Sequence, residues 1–266
     1  ERFRRVNEAE GMEDPGADFR NNVVRSLSLA DAAIACGVPR LVFSSTAAVY
    51  GMPERVPIAE TEATAPVNPY GESKRMVEQM LSWYHRIHGL NYVALRYFNA
   101  AGATEFRGED HDPETHLIPI ILQVALGQRE KIQISEKDYS TPDGTCIRDY
   151  IHVKDLARAH LLALEKNVYG AYNLGSGSGY SVQEIVDVAR SVTGHPIPAE
   201  DAPRRPGDPA RLVSDSTAAR RDLGWQPEHD DIREIVASAW DWKSRHPGGY
   251  EDNTPPADSA NLKTSD

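Results

Sequence analysis

The sequence predicts an α/β fold built on a doubly wound parallel sheet. Helical and strand patterns alternate along the chain, and its 266 residues can bury a substantial core as one large or two smaller domains. Two polar residues suited to a ligand, Thr46 and Asn99, fall just past the carboxyl ends of apolar β-rich runs. That edge is where open α/β sheets bind ligands.

Taken in order, residues 1–19 are charged and lack a clear period, so they read as a loop or frayed lead-in. Asn21–Cys36 reads as a helix with Val23, Val24, Leu27, Ala30 and Ile34 as its apolar stripe, closed by Gly37. Arg40–Ser45 (RLVFSS) is a short strand, and helix–strand order of this kind predicts parallel βα units. Pro69–Gly89 is the segment that organises the rest. Asn68 caps a helix with Pro69 in its first turn, and Gly89 ends it in a left-handed conformation. Met76, Met80, Tyr84 and Ile87 recur at steps of three and four, which gives it one apolar face.

Asn91–Tyr97 (NYVALRY) is the next strand, running into Phe98 and Asn99. His116-Leu117-Ile118-Pro119 opens a helix whose amphipathic pattern suits a core. Lys131–Arg148 is hairpin-like around a Pro142-Asp143-Gly144 turn. Asp155 is placed to cap the helix DLARAHLLALEK. A strand AYNLG, a Gly175–Gly179 turn and a helix SVQEIVDVARSVTG follow. Asp231–His246 is a final amphipathic helix with Ile235, Ala239 and Trp242, and the composition from Gly248 onward predicts a disordered tail.

A net charge of −11 argues against a nucleic-acid surface, although a local basic pocket remains compatible with it. Two cysteines, Cys36 and Cys146, offer neither a disulfide framework nor a metal-ligand cluster, so no metal is expected and a reducing cytoplasm is the default compartment. No apolar run approaches the roughly 20 residues needed to cross a bilayer, and no signal peptide opens the chain.

The chemistry concentrates at the start of the 69–89 helix. Tyr70 and Lys74 stand four apart and project from one face. An ammonium near a phenol favours the phenolate and turns tyrosine into a general base, although a surface lysine beside a half-buried tyrosine is the plainer reading of the pair alone. Thr46 adds a hydroxyl at the end of the preceding strand, which makes a constellation for moving a proton off a sugar or alcohol hydroxyl. The Gly175–Gly179 run looks like a phosphate-binding turn, but it lies far past this helix and no acidic-ended strand follows it at the right distance. Arg148 precedes Asp149, so a salt bridge and an anion contact are both open readings.

FSSTAAVYG, NPYGESK, LRYFNAAGA, DGTCIRDYIHVKDLA, YNLGSGSGYSV and RRPGDPARLVSD occur in one order that resembles the extended short-chain dehydrogenase/reductase family, over roughly residues 20 to 245. The resemblance implies a Rossmann-like doubly wound parallel sheet with its first strands missing and a smaller α/β substrate-binding domain. No strand–glycine turn–helix unit occurs between Glu1 and Arg40, so a fragment lacking the first ~80 residues is expected, one that binds NAD weakly on its own for want of its main anion site. The implied division gives 1–98 to an incomplete NAD-binding domain, with 149–168 returning to it. It gives 99–148 and 169–247 to a UDP-sugar domain, and 248–266 to the tail.

The implied activity is NAD-dependent epimerisation of UDP-galactose and UDP-glucose at C4 through a 4-keto sugar. The alternatives are another UDP-sugar (UDP-N-acetylglucosamine or a pentose) or an inactive truncated fragment. By resemblance Tyr70 is the base, Lys74 lowers its pKa and bonds the nicotinamide ribose, and Thr46 bonds the reacting oxygen. Asn21, Tyr97 and Phe98 join Thr46, Tyr70 and Lys74 against the cofactor. Asn99, His116, Leu117, Gln133, Ser135, Arg148, Arg205 and Asp208 hold the UDP-hexose. Ala47 and Ala48 stand where related dehydratases carry acid–base carboxylates and decarboxylases carry glutamate. Leu212 aligns with a pocket-wall residue whose replacement of tyrosine admits N-acetylated sugars; it also reads as a plain buried strand residue in RLVSD. A homodimer formed through the helices at 21–36 and 69–88 is expected.

Overall fold

The computed structural model describes Met12 and residues 14–135, 138–203 and 209–250. In chain order these form α1 (Pro15–Asp18), a π-helical turn (Phe19–Val24), α2 (Arg25–Ala35), β1 (Arg40–Thr46), a 3-10 turn (Ala47–Tyr50), α3 (Pro69–His88), β2 (Asn91–Tyr97) and β3 (Asn99–Ala101). Then come α4 (Leu117–Ala125), β4 (Ile132–Ser135), β5 (Ile147–Arg148), β6 (Tyr150–His152), α5 (Val153–Glu165), β7 (Gly170–Leu174), β8 (Tyr180–Ser181) and α6 (Val182–Thr193). β9 (Ala199–Ala202), β10 (Arg211–Leu212), a second π-helical turn (Ala219–Leu223) and α7 (Ile232–Arg245) complete the described residues.

The first sheet has the order β1-β2-β7, all parallel, with Thr46 opposite Tyr97 and Tyr97 opposite Leu174. α2 and α3 cover one face through Ala30, Val77 and Leu81 against Leu41 and Phe43. α5 covers the other, where Val93, Leu95, Ala159, Ala163 and Leu174 enclose Trp225. The alternation read from the sequence is therefore the observed α/β layering.

Several details differ. Helix begins before Asn21, because Asp14 accepts the Ala17 N–H at 3.2 Å with Pro15 at the first helical position. On α3 the buried face runs through Gly71, Ser73, Val77, Glu78 and Leu81, while Met76 and Ile87 are exposed. Hydropathy misreads that face because its buried Glu78 is paired with β1 and β2, and its buried Ser73 with Asn22 and the Tyr70 carbonyl. The cap on α5 is His152, whose Nδ1 accepts the Lys154 N–H; Asp155 instead accepts the N–H groups of Glu228 and His229, more than 70 residues away.

Residues 170–174 belong to the first sheet and Ala219–Trp225 to its core, so the predicted lobe of 169–247 is interrupted twice. Sheet membership is settled by long-range pairing, which local pattern does not carry. β4 pairs in parallel with β9 rather than with β5, so 131–148 is not a hairpin, although Gly144 does make a tight turn at φ +77°. α4, α6 and α7 pack around Ile121, Leu122, Ile185, Val186, Ile235 and Val236 in the second lobe. Its small sheet has the order β10-β5-β8. The predicted tail lies outside the described residues from 251 on. No described helix is long and apolar enough to cross a membrane.

Candidate active site

Thr46 ends β1 in extended geometry, and its hydroxyl oxygen accepts the Ala48 N–H at 3.1 Å, which caps the 3-10 turn. The first turn of α3 rests on that turn. A Cβ at residue 71 would come 2.6 Å from the Ala48 carbonyl oxygen, so glycine there lets Tyr70 approach the strand end. Asn68 Oδ1 accepts the Gly71 N–H at 2.7 Å. Ser73 Oγ donates to the Tyr70 carbonyl at 2.7 Å and accepts from Asn22 Nδ2 at 2.8 Å. This ties the helix to the π-helical turn that carries half-buried Asn21.

Lys74 lies one turn further along α3. Its Nζ donates to the Ser44 carbonyl at 3.0 Å and stands 5.6 Å from the centre of the Tyr70 ring and 5.1 Å from that of Phe43. Burial pushes the Lys74 pKa down, and the buried Asp18 carboxylate pulls against that shift. No signal in the sequence pointed to Asp18. Tyr70 is the second residue of α3 and so stands at the positive end of the helix dipole, with the Lys74 ammonium beside its ring.

Across the sheet the next residues split between its two sides. The Tyr97 hydroxyl is 2.8 Å from Ser44 Oγ and 2.6 Å from His160 Nε2 on α5, and burial pushes its pKa up to about 12. Phe98 turns away into a cluster with Ala47, Val49, Tyr50 and Ile58, and Leu212 packs against that cluster. Leu212 is also in register with Arg148. Asn99 commits its backbone N–H and Nδ2 to the Asp149 carbonyl at 3.0 and 2.9 Å, leaving its carboxamide oxygen for a ligand. Arg148 Nη1 donates to the Ile147 carbonyl at 2.8 Å.

Asp149 has other partners. It is fully buried and accepts from the N–H groups of Ser176, Gly177 and Ser214 and from both serine hydroxyls. The glycine-rich turn at 175–177 does bind an anion, namely this internal carboxylate.

The remaining predicted contacts lie in the second lobe. Leu117 packs on the α4 core, exposed Gln133 reaches Glu200, and Ser135 pairs through its backbone with Ala202. The His116 side chain is half-exposed and bonded to Glu109. Arg205 and Asp208 lie outside the described residues.

A model of the NAD dependent epimerase/dehydratase family matches residues 6–175. The chain belongs to that family. It is 52% identical over 247 residues to the UDP-glucose 4-epimerase of Halalkalibacterium halodurans, covering 91% of this chain and 74% of that protein. It is 54% identical over 250 residues to the UDP-glucose 4-epimerase of Streptococcus mutans, covering 92% and 75%. The structure resembles that of UDP-glucose 4-epimerase from Bifidobacterium longum in complex with NAD+ and UDP, with TM-score 0.88 and 38% identity over 93% of this chain and 76% of that one.

Proposed function

We propose that this chain carries the catalytic centre of an NAD-dependent 4-epimerase that interconverts UDP-galactose and UDP-glucose through a 4-keto sugar. The observation that carries this reading is the packing of Gly71 on the Ala48 carbonyl, which joins Tyr70 and Lys74 to the strand end bearing Thr46. Sequence relatives that are UDP-glucose 4-epimerases support it.

The residues fit the nicotinamide–ribose half of NAD. Lys74 Nζ has three N–H donors and meets the Ser44 carbonyl among the described residues, so ribose hydroxyls suit the others. Bound NAD supplies the acceptor and donor of the C4 hydride. Tyr70, as phenolate, takes the proton of the 4-hydroxyl and later returns it. Lys74 stabilises the phenolate through a partly dehydrated field, where charge acts more strongly than in water. Thr46 Oγ1 accepts from Ala48, which leaves its O–H to bond the reacting oxygen. Tyr97 borders the nicotinamide from the β2 end, Phe98 supports that edge from the buried cluster behind it, and Asn21 approaches from the π-helical turn.

The keto sugar must turn between the two hydride transfers, so the grip belongs on UDP rather than on the hexose. Asn99, Arg148, Arg205 and Asp208 provide it, with His116, Leu117, Gln133 and Ser135 lining the nucleotide. Arginine suits a diphosphate because its planar fork bonds two oxygens at once. The exposed apolar side chains Val24, Leu27, Met76, Trp83 and Ile87 on the α2–α3 side suit a second copy of the chain, and we assign the enzyme to the cytoplasm as a homodimer.

Tyr70→Phe, made in a full-length version of the protein, tests the reading. The turnover number is expected to fall ~10²–10⁴-fold while UDP affinity stays nearly unchanged. A variant that retains half the activity would remove Tyr70 from the chemistry.

A further inference from the structure

We propose that Glu109, His111, Glu114 and His116 form a binding site for one divalent transition-metal ion, best suited to Zn²⁺. The four residues come from a single Glu-x-His-x-x-Glu-x-His segment between β3 and α4. Their ligand atoms all lie within 4.8 Å of one another. His111 Nδ1 is 3.1 Å from Glu109 Oε1 and 3.7 Å from Glu114 Oε1; His116 Nδ1 is 2.5 and 3.6 Å from the same two oxygens. Tetrahedral Zn²⁺ with bonds near 2.0–2.1 Å requires ligand–ligand separations of about 3.4 Å. The cross distances bracket that value, so small side-chain rotations close the shell.

The donor set selects the ion. Two imidazoles disfavour Ca²⁺ and Mg²⁺, which take oxygen ligands, and no thiolate is present to draw Cu(I). Two nitrogens and two carboxylate oxygens suit Zn²⁺. Glu114 is 8% exposed, and its Oε1 is already held by the N–H groups of Thr115 and His116 at 2.8 and 2.9 Å. Such outer bonds orient a ligand before the ion arrives. A cavity of about 20 Å³, room for one water, opens beside Glu109 and is floored by Ile118, Leu122 and Trp242.

Both histidines address carboxylate oxygens through Nδ1, so each ring carries a proton there. A divalent ion takes the place of the Nδ1 protons, which are released on binding. The site clasps the 103–116 connection to the start of α4 and takes no part in the hydride chemistry.

The test uses the full chain, stripped with EDTA and dialysed, then titrated with ZnCl₂ by calorimetry and with CoCl₂ by visible absorption. The expected result is one equivalent of Zn²⁺ bound with proton release, a raised Tm, and the intense Co²⁺ bands of a four-coordinate site. Glu109→Gln and His111→Gln should each weaken Zn²⁺ binding more than ~10-fold, while His195→Gln, at an exposed position elsewhere, should change nothing. The wild-type Co²⁺ spectrum decides the matter even if the cluster variants do not fold. Absence of stoichiometric binding, a weak six-coordinate Co²⁺ spectrum, or equal affinity in the His111 variant would overturn the proposal and leave the cluster as an ion-pair network.

Discussion

Arg96 of β2 and Glu78 of α3 form a buried two-pronged ion pair, with Arg96 Nη2 2.6 Å from Oε2 and Nε 3.0 Å from Oε1 of the carboxylate. Glu78 also accepts from Ser45 Oγ at 2.5 Å. Arg96 Nη1 donates to the Tyr50 hydroxyl at 2.8 Å, and that hydroxyl donates to Asn173 at 2.8 Å. One network therefore links α3, all three strands of the first sheet and the 3-10 turn that follows Thr46.

Breaking this pair from one side leaves a guanidinium buried without its counter-charge. Glu78→Gln is expected to cost roughly 3–5 kcal/mol of stability, because the loss includes the full desolvation of Arg96. Denaturant melts read it as a lower midpoint at unchanged slope. A Glu78→Leu/Arg96→Met double variant should recover much of the loss, which separates stranded charge from lost packing.

At Gly71 two effects oppose each other. Alanine gains about 1 kcal/mol of helix propensity, but its Cβ would stand 2.6 Å from the Ala48 carbonyl oxygen, and overpacking costs about 1–3 kcal/mol. Stability should therefore change little. Activity should not be spared, since a displacement of about 1 Å in a catalytic group costs on the order of 10²-fold. Paired measurement of Tm and kcat on Gly71→Ala checks this.

His152 gives the protein a definite response to acid. Ser238 Oγ donates to the Ile235 carbonyl at 2.9 Å, so its oxygen accepts from the Ala103 N–H and from His152 Nε2–H, both at 3.1 Å. Nδ1 of the same ring accepts the Lys154 N–H at 3.0 Å, which requires a neutral imidazole. Burial first, then His229 and Lys154, hold its pKa down to about 4, against Asp155 and Glu234. The unfolded chain protonates near pH 6.5 and the folded one only near 4. Stability from this group is complete above about pH 6.5 and falls through that window by up to roughly 3 kcal/mol. His152→Asn should flatten the decline in melts between pH 7 and pH 4.

Leu212 packs against the cluster that holds Phe98 and is in register with Arg148, and its substitution tests the proposed sugar wall. In a full-length version the unsubstituted protein is expected to accept UDP-N-acetylgalactosamine, and Leu212→Tyr to shift kcat/KM towards UDP-galactose by ~1–3 kcal/mol. Rejection of the acetylated sugar by the wild type, or no change on substitution, would return Leu212 to a purely packing role.

The parts legible in the sequence are those whose causes are local. Asn68, Pro69 and Gly89 bound α3 as the capping rules require, and Asn91–Tyr97 is the observed β2. Ser181 and Glu184 complete a capping box within four residues. What escaped depends on distant partners. Asp155 serves a loop more than 70 residues on, and β4 finds β9 across 63 intervening residues between Ser135 and Ala199. Met76 and Ile87 followed the helical period yet face outward, because Glu78 occupies the inner face with Arg96. Thr46, Tyr70 and Lys74 were readable as a set, since one strand end and one helix start carry them. Asp18 was not, because its proximity to Lys74 arises only when α1 folds onto α3.

Asp149 stands between β5 of one sheet and β6 of another, and its carboxylate is the shared acceptor of Ser176, Gly177 and Ser214. None of these segments can loosen at that junction without stripping a buried charge of its donors. The junction therefore acts as a rivet. Amide exchange around residues 149, 176, 177 and 214 is therefore expected to be late, because local opening there exposes a carboxylate that the fold has taken out of water.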